Sequence, residues 1–171
     1  MKKYLFVDDQ PNYLKRHRDT LREAGYEVEM ARDLGAAWER IEQERETGNP
    51  FDLVLIDLAL DRKVPEFKKE DEELRDALLS QGHGDVPISG QALGLRLWRL
   101  RRELQQRYCY VTNYSALWVE SLDKQNPEFG AKALEKLENI LLLDKRQLWL
   151  ENVEEKFQRA YQMWEDERWL R

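Results

Sequence analysis

The sequence predicts an α/β protein with a doubly wound parallel sheet. Short apolar runs rich in β-branched and aromatic residues recur along the chain, as in parallel strands that are buried on both faces. Segments with helical periodicity separate them, so that strand and helix alternate five times. With 171 residues, of which 42% are hydrophobic, the chain can form one such domain with its own core, and we assign residues 1–171 to a single domain.

The first half of the chain shows this alternation clearly. The apolar run at 4–7 predicts the first strand, and Pro11 suits the first turn of the helix after it, which a glycine ends. The alternating residues 26–30 predict the second strand, and residues 34–46 the second helix. The continuous apolar run at 51–56 then predicts a third, buried strand.

The stretch from Leu58 to Ser89 interrupts the rhythm. It contains eight acidic and five basic residues, and it is far longer than the usual strand-to-helix connection of about 2–6 residues. We interpret it as an insertion, partly mobile, with a short helix at 70–79. Its acidic run is expected to form a solvated face; a lid over a functional site or a surface for one partner is the alternative.

Regular alternation returns after Gly90, where a stripe of leucines has helical spacing. The remaining elements are predicted as a helix at 93–104, a strand at 108–111, helical turns at 113–124 and 127–137, a strand at 139–143 and a long helix at 147–171.

The last predicted helix is unusually aromatic. At about 1.5 Å per residue it would be roughly 37 Å long, which exceeds the expected depth of the sheet. Its final turns would overhang, and exposed apolar surface of that kind needs cover. An intramolecular cap and a homodimer through this helix are both open explanations. The aromatic residues concerned are Trp149, Phe157, Tyr161, Trp164 and Trp169.

Composition excludes several classes of protein. The net charge of −6 argues against broad, charge-driven nucleic-acid binding, and no apolar run approaches the roughly 20 residues of a membrane span. The first ten residues lack the long apolar region of a signal peptide. The single cysteine, Cys109, cannot form an internal disulfide and is expected to be a small buried group. These features predict a cytoplasmic protein without membrane or direct nucleic-acid partners.

Chemically active residues stand directly after the predicted strands: Asp8, Asp9, Asp57, Thr112 and Lys145. In open parallel sheets, ligands bind beyond the carboxyl ends of the strands. If the strand order is 2-1-3-4-5, the first and third strands are neighbours, and their three carboxylates converge. Such carboxylates repel one another unless a cation lies between them, and Mg²⁺ prefers oxygen ligands.

With a metal in place, one carboxylate can act as a nucleophile on phosphorus. Phosphoryl transfer depends on positioning and on neutralising the phosphoryl oxygens. The ammonium group of Lys145 and the hydroxyl of Thr112 suit that task. A strand end or a helix cap would explain each aspartate singly, but the set together favours a metal site.

At these residues the sequence resembles the receiver domain of two-component response regulators. The resemblance covers nearly the whole chain except the insertion and the last helix. It implies a flavodoxin-like receiver fold with strand order 2-1-3-4-5. The matching segments are YLFVDDQP, GYEVEMA, FDLVLIDLAL, SGQALGLRLWRLR, VTNYSA and ILLLDK.

The resemblance also implies roles for the strand-end residues. Asp57 would be the phosphoacceptor, supplied by a phosphohistidine on a sensor histidine kinase or phosphotransfer protein, and a contributor to the metal site. The protein would then be no enzyme beyond its own aspartyl phosphorylation and dephosphorylation, and would signal to a downstream protein.

The remaining roles complete this expected site. Asp9 would bind Mg²⁺ directly and Asp8 directly or through water, while Ala59 would offer its backbone carbonyl. Thr112 and Lys145 would hold the phosphoryl oxygens.

The sequence departs from the family pattern near its fifth strand. Leu142 stands where the family has an aromatic switch residue, and Arg146 stands where it has a proline. Phosphorylation chemistry would survive both changes, but the aromatic switch would not, unless Tyr114 takes its place. A pseudo-receiver that acts as a phosphorylation-independent interaction or dimerisation module is therefore the main alternative.

A phosphohydrolase of the haloacid dehalogenase type also uses a strand-end aspartate, Mg²⁺ and a lysine. Its motif requires two aspartates separated by one residue after the first strand. The adjacent Asp8 and Asp9 lack that spacing, which disfavours this class. A DNA-binding output domain is not expected either, since few residues follow Lys145.

Overall fold

The computed structural model describes residues 2–60, 65–82, 90–114, 117–119 and 140–171. Within these ranges five parallel strands form one sheet in the order β2-β1-β3-β4-β5, which confirms the predicted fold class and strand order. The strands are β1 (Lys3–Val7), β2 (Glu27–Ala31), β3 (Leu53–Ile56), β4 (Tyr108–Thr112) and β5 (Leu142–Asp144). The helices are α1 (Lys15–Glu23), α2 (Leu34–Glu46), α3 (Lys68–Ser80), α4 (Gln91–Arg99), α5 (Arg101–Leu104) and α6 (Val153–Glu167), with 3₁₀ turns at Pro65–Phe67 and Lys145–Gln147.

The three central strands carry the core. Every residue of β1, β3 and β4 is buried, so both faces of the sheet are covered there. This explains their continuous apolar sequences, whereas the edge strand β2 alternates and is half exposed. The pairing of Val7 with Ile56 places the ends of β1 and β3 side by side. Asp8 and Asp57, which directly follow these two strands, therefore lie at the same edge of the sheet.

The second helix has the predicted bounds because both its ends are marked in the sequence. The Asp33 side chain accepts a hydrogen bond from the Ala36 amide at 2.8 Å, which satisfies one of the free donors at the helix start. Gly48, with a φ of 74°, turns the chain just after the helix. The first helix begins later than predicted, at Lys15, because residues 11–14 form a turn.

The predicted helix at 93–104 is divided into α4 and α5 at Leu100. The side chain of Arg101 donates to the Trp98 carbonyl at 3.0 Å. In a continuous helix that carbonyl would accept from the amide of residue 102. The side chain of Arg101 therefore binds a helical carbonyl at the point where the helix is interrupted.

The described part of the insertion packs against the domain. Helix α3 confirms the predicted helix, and the Arg96 guanidinium of α4 binds both carboxylate oxygens of Glu70 at 2.9 and 3.0 Å. The same guanidinium lies 3.8 Å above the ring of the buried Phe67. A second ion pair joins Arg99 to Glu73 at 2.9 Å. The prediction of a solvated acidic face is wrong for Glu70, which is only 8% exposed, because this acid is paired across the helix interface.

Residues 61–64 and 83–89 of the insertion lie outside the described residues. The two described ends of the insertion meet, since the Gly90 amide donates to the Leu58 carbonyl at 2.7 Å. The chain therefore returns to the point that it left, beside the end of β3.

The C-terminal helix is shorter than predicted. Residues 145–147 form a 3₁₀ turn, and the Asn152 side chain accepts from the Trp149 amide at 2.8 Å, so that α6 begins only at Val153. The helix ends at Glu167, because Arg168 adopts the left-handed conformation with a φ of 56°. The final residues then turn back across the domain.

The overhang predicted for the aromatic residues of this helix is wrong for Trp164 and Trp169. Trp164 is 1% exposed and packs against Trp98, with ring centroids 5.9 Å apart. Trp169 packs against both rings, and its carbonyl accepts from Arg101 at 3.0 Å. The cover for these rings thus comes from within the chain. The homodimer through this helix stays a prediction, but Trp164 and Trp169 no longer supply the exposed apolar surface that suggested it.

The fifth strand is shifted relative to its prediction and is short. Among the described residues it pairs with β4 only from Tyr110 onward, so on this side the beginning of β4 has no described strand beside it. The indole of Trp164 donates to the Tyr108 carbonyl at this part of β4, at 2.7 Å. The helices predicted at 113–124 and 127–137 fall largely outside the described residues, and residues 113, 114 and 117–119 are not α-helical.

None of the described helices is both long and apolar enough to cross a membrane.

Candidate functional site

Three carboxylates meet at the carboxyl edge of the sheet, as the sequence predicted. Asp8, Asp9 and Asp57 can each offer an oxygen within 4.8 Å of those of the other two. Asp8 and Asp57 are 3% and 4% exposed, and Asp9 is half buried. The strands β1 and β3 end side by side, and Asp8 and Asp57 follow them directly, which brings these carboxylates together.

Lys145 lies between two of these acids. Its ammonium group donates to Asp8 at 2.7 Å and to Asp57 at 2.8 Å, and it is buried. It is the first residue after β5, in a 3₁₀ turn that Asp144 caps by accepting from the Arg146 amide at 2.9 Å. The arginine that replaces the expected proline is thus part of the turn that presents the lysine.

Thr112 completes the set at the end of β4. It is 1% exposed, and its hydroxyl lowers the pKa of the neighbouring Asp57. The same hydroxyl oxygen accepts from the Tyr114 amide at 3.0 Å, which fixes its orientation. All five strand-end residues named from the sequence are therefore brought to one site.

Burial and charge act in opposite directions on the buried groups. Burial raises the pKa of Asp57, the hydrogen bond from Lys145 lowers it, and the charge of Asp8 raises it again; the pKa lies above its usual value. For Lys145, burial lowers the pKa, but the bonds and charges of Asp57 and Asp8 outweigh it, so that the pKa is raised. The lysine is therefore charged at neutral pH.

A cavity of about 440 Å³ opens above these groups. Asp57 and Lys145 form its floor, and Tyr13 and Tyr114 are exposed aromatic residues in its wall. The lining residues are Asp9, Gln10, Tyr13, Asp57, Ala59, Asn113, Tyr114, Leu117 and Lys145. Residues 65–82 of the insertion are not among them, so α3 does not form the lid considered from the sequence.

The donor set fits a divalent cation. Three carboxylates against one ammonium group leave a formal charge of −3 + 1 = −2, which such an ion would neutralise. The ligand atoms are all oxygens, as Mg²⁺ prefers. Ala59, predicted to add a carbonyl, lines the cavity, and its amide donates to Asp57 at 3.2 Å.

Two residues beside the site were missed by the sequence analysis. A Cβ atom at Gly90 would lie 1.8 Å from the Asp57 carbonyl oxygen, so only glycine fits there. Gln91, which follows it, is 5% exposed and binds the backbone of Val119. The glycine just before α4 was the available signal for the first; nothing in the sequence indicated the second.

Comparison with known proteins supports the fold. No family model matches the sequence, and no curated protein matches it. Among solved structures, response regulator receiver (CheY-like) domains align over nearly the full chain. At identities below 25% these likenesses establish the fold alone, and the protein has the receiver-domain fold.

Three of these structures illustrate the likeness. A receiver domain protein from Methanospirillum hungatei JF-1 is 22% identical, with a TM-score of 0.57 and 98% of each chain covered. Response regulator TrrA from Thermotoga maritima, in complex with Mg²⁺-BeF, is 18% identical, with a TM-score of 0.53, covering 94% of this chain and 99% of that one. The N-terminal domain of a response regulator/sensory box/GGDEF protein from Carboxydothermus hydrogenoformans is 17% identical, with a TM-score of 0.52, covering 97% and 98%.

Proposed function

We propose that this protein is a phosphoacceptor receiver of a two-component phosphorelay. Asp57 accepts a phosphoryl group from a phosphohistidine on a sensor histidine kinase or phosphotransfer protein, and the phosphorylated form signals by binding a downstream protein. The observation that carries this proposal is the meeting of three carboxylates with Lys145 at the carboxyl edge of a receiver-type sheet. A cytoplasmic location fits this role.

Mg²⁺ is the cofactor that this site suits. Asp8, Asp9, Asp57 and the Ala59 carbonyl would hold it, and when bound it would supply positive charge against the phosphoryl oxygens.

The chain's own residues perform the transfer. A carboxylate oxygen of Asp57 attacks phosphorus while the bond from phosphorus to the donor nitrogen breaks, and the imidazole leaves with that electron pair. Lys145, whose ammonium group is 2.8 Å from this carboxylate, holds a phosphoryl oxygen, and the Thr112 hydroxyl turns to another. The protein turns over no separate substrate.

The pseudo-receiver alternative rests on the fifth strand. Leu142 is a buried aliphatic residue at the family's aromatic switch position, so no ring can rotate there. Tyr114, which is 57% exposed and two residues beyond Thr112, is the aromatic residue that could replace it. A phosphorylation-independent interaction module would keep the fold without this movement.

Phosphorylation from a small donor separates the two functions. With acetyl phosphate and Mg²⁺, a receiver gains one base-labile phosphoryl group, detected by intact mass, and Asp57→Asn abolishes the gain. Asp33→Asn is the matched control, because it makes the same change at a helix cap that does not line the cavity. A wild-type protein that gains no mass under these conditions would establish the pseudo-receiver instead.

A further inference from the structure

Gln91 forms a buried clamp on the backbone of a distant segment. Its amide nitrogen donates to the Val119 carbonyl at 2.8 Å, and its amide oxygen accepts from the Val119 amide at 3.0 Å. Both residues are almost fully buried. A side chain that satisfies the donor and the acceptor of one backbone residue fixes that residue in two directions.

Gln91 follows a glycine that contacts the backbone of Asp57, the candidate phosphoacceptor. Gly90 donates to the Leu58 carbonyl at 2.7 Å and packs so closely on the Asp57 carbonyl that a Cβ atom would meet it at 1.8 Å. Gln91 follows Gly90 directly and is the first residue of α4. Its backbone position is therefore set by the residues around Asp57.

The other end of the clamp, Val119, lies two residues after the cavity wall. Leu117 lines the cavity above Asp57, and its amide donates to the Tyr114 carbonyl at 2.9 Å. Trp118 packs against the buried ring of Tyr110, with centroids 5.1 Å apart. Segment 117–119 is thus held by the Trp118 ring and by Gln91, and its first residue faces the site.

We propose that Gln91 is a positioning residue that holds segment 117–119 over the phosphorylated Asp57 and thereby sets how long the phosphoryl group remains. This inference rests on the proposed function. In hydrolysis, water attacks phosphorus, the bond from phosphorus to the Asp57 oxygen breaks, and the carboxylate leaves with its electron pair. Inorganic phosphate and a proton are released. Leu117, seated by the clamp, limits the access of that water.

The lifetime of the phosphorylated protein tests this role. The wild type and Gln91→Met are phosphorylated with acetyl phosphate and Mg²⁺, the donor is removed, and loss of the phosphoryl mass is followed. The methionine keeps the side-chain length but forms neither hydrogen bond. We expect a half-life about tenfold shorter, the factor that about 1.4 kcal/mol corresponds to. Leu95→Ala, which truncates another buried side chain of α4, is the matched control and should keep the wild-type half-life.

A spectroscopic measurement separates positioning from general destabilisation. The chain has six tryptophans, and Trp118→Phe identifies the Trp118 signal in a ¹⁹F spectrum of 5-fluorotryptophan-labelled protein. Gln91→Met should shift or broaden that signal and leave those of Trp98 and Trp164 in place. If the methionine variant does not fold, Gln91→Glu serves instead, because an ionised glutamate accepts from the Val119 amide but cannot donate to its carbonyl.

Failure of the role of Gln91 and failure of the proposed function give different results. Equal shortening in Gln91→Met and Leu95→Ala, or an unchanged half-life and Trp118 signal in Gln91→Met, overturns the role of Gln91 alone. Failure of the wild type to gain a phosphoryl group overturns the proposed function, and this inference with it.

Discussion

Replacing Gly90 by alanine should disturb the site by a calculable amount. The new Cβ would lie 1.8 Å from the Asp57 carbonyl oxygen and 2.6 Å from the Ile56 side chain. Ordinary contact begins near 3.4 Å, so the overlap with the carbonyl is 3.4 − 1.8 = 1.6 Å. Because that atom belongs to the backbone, either the end of β3 or the start of α4 must move. Overpacking of this kind costs about 2 kcal/mol.

Two measurements check this prediction. Urea unfolding should show the loss of about 2 kcal/mol, and the melting temperature should fall by about 4–8 °C for a chain of this size. Phosphorylation by acetyl phosphate should slow by about 100-fold, since displacements near 1 Å have that effect on reacting groups.

The matched control is Gly25→Ala. Gly25 has a φ of 96° and open space around its Cβ position, so alanine there is strained but touches nothing. It should lose stability by about 1 kcal/mol or more and keep the wild-type phosphorylation rate. A Gly90→Ala protein with wild-type stability and rate would refute the packing argument.

Three further substitutions test other contacts. Lys145→Met should abolish phosphorylation and cost about 3–5 kcal/mol in urea unfolding, because the two carboxylates that it pairs are left buried together. For Glu70, burial raises the pKa, but the bonds from Arg96 outweigh it and the pKa lies below its usual 4.5. Its stabilisation is therefore present above pH 4.5 and lost as the pH falls through the lowered pKa, so Glu70→Gln should flatten this acid dependence in urea unfolding. Trp164→Phe should cost about 1–3 kcal/mol by removing the buried hydrogen bond to the Tyr108 carbonyl, and a stability equal to that of the wild type would contradict this contact.

The sequence predicted the features that depend on local patterns. Buried parallel strands have continuous apolar sequences, and in this protein each is followed by the polar residue that reaches the site. The convergence of Asp8 with Asp57 could be predicted from the strand order alone, because the neighbouring strands β1 and β3 end at paired residues, Val7 and Ile56. The bounds of α2 were predictable for a similar reason, since Asp33 and Gly48 mark its ends.

Contacts between distant segments were not predictable in this way. The pairing of Arg96 with Glu70 joins residues 26 positions apart, and no periodicity in either helix indicates it. The clamp of Gln91 on Val119 spans 28 positions and uses backbone atoms that every sequence contains. The end of α6 was missed because the bend at Arg168 uses a left-handed conformation that glycine usually signals.

The way the insertion is attached explains how a long segment can follow β3 without displacing its end. The bond between Gly90 and Leu58 closes the insertion at its base, so the distance that its ends must span does not grow with its length. The entropic cost of a longer loop rises only slowly, by about 0.6 kcal/mol for each doubling. Burial of Phe67, with the ion pair between Arg96 and Glu70, offsets part of that cost. The position of Asp57 thus depends on the closure at Gly90 and on little else in the described insertion. Deleting α3 while keeping Leu58 and Gly90 in register should therefore lower stability but preserve phosphorylation, measured on one preparation by urea unfolding and intact mass.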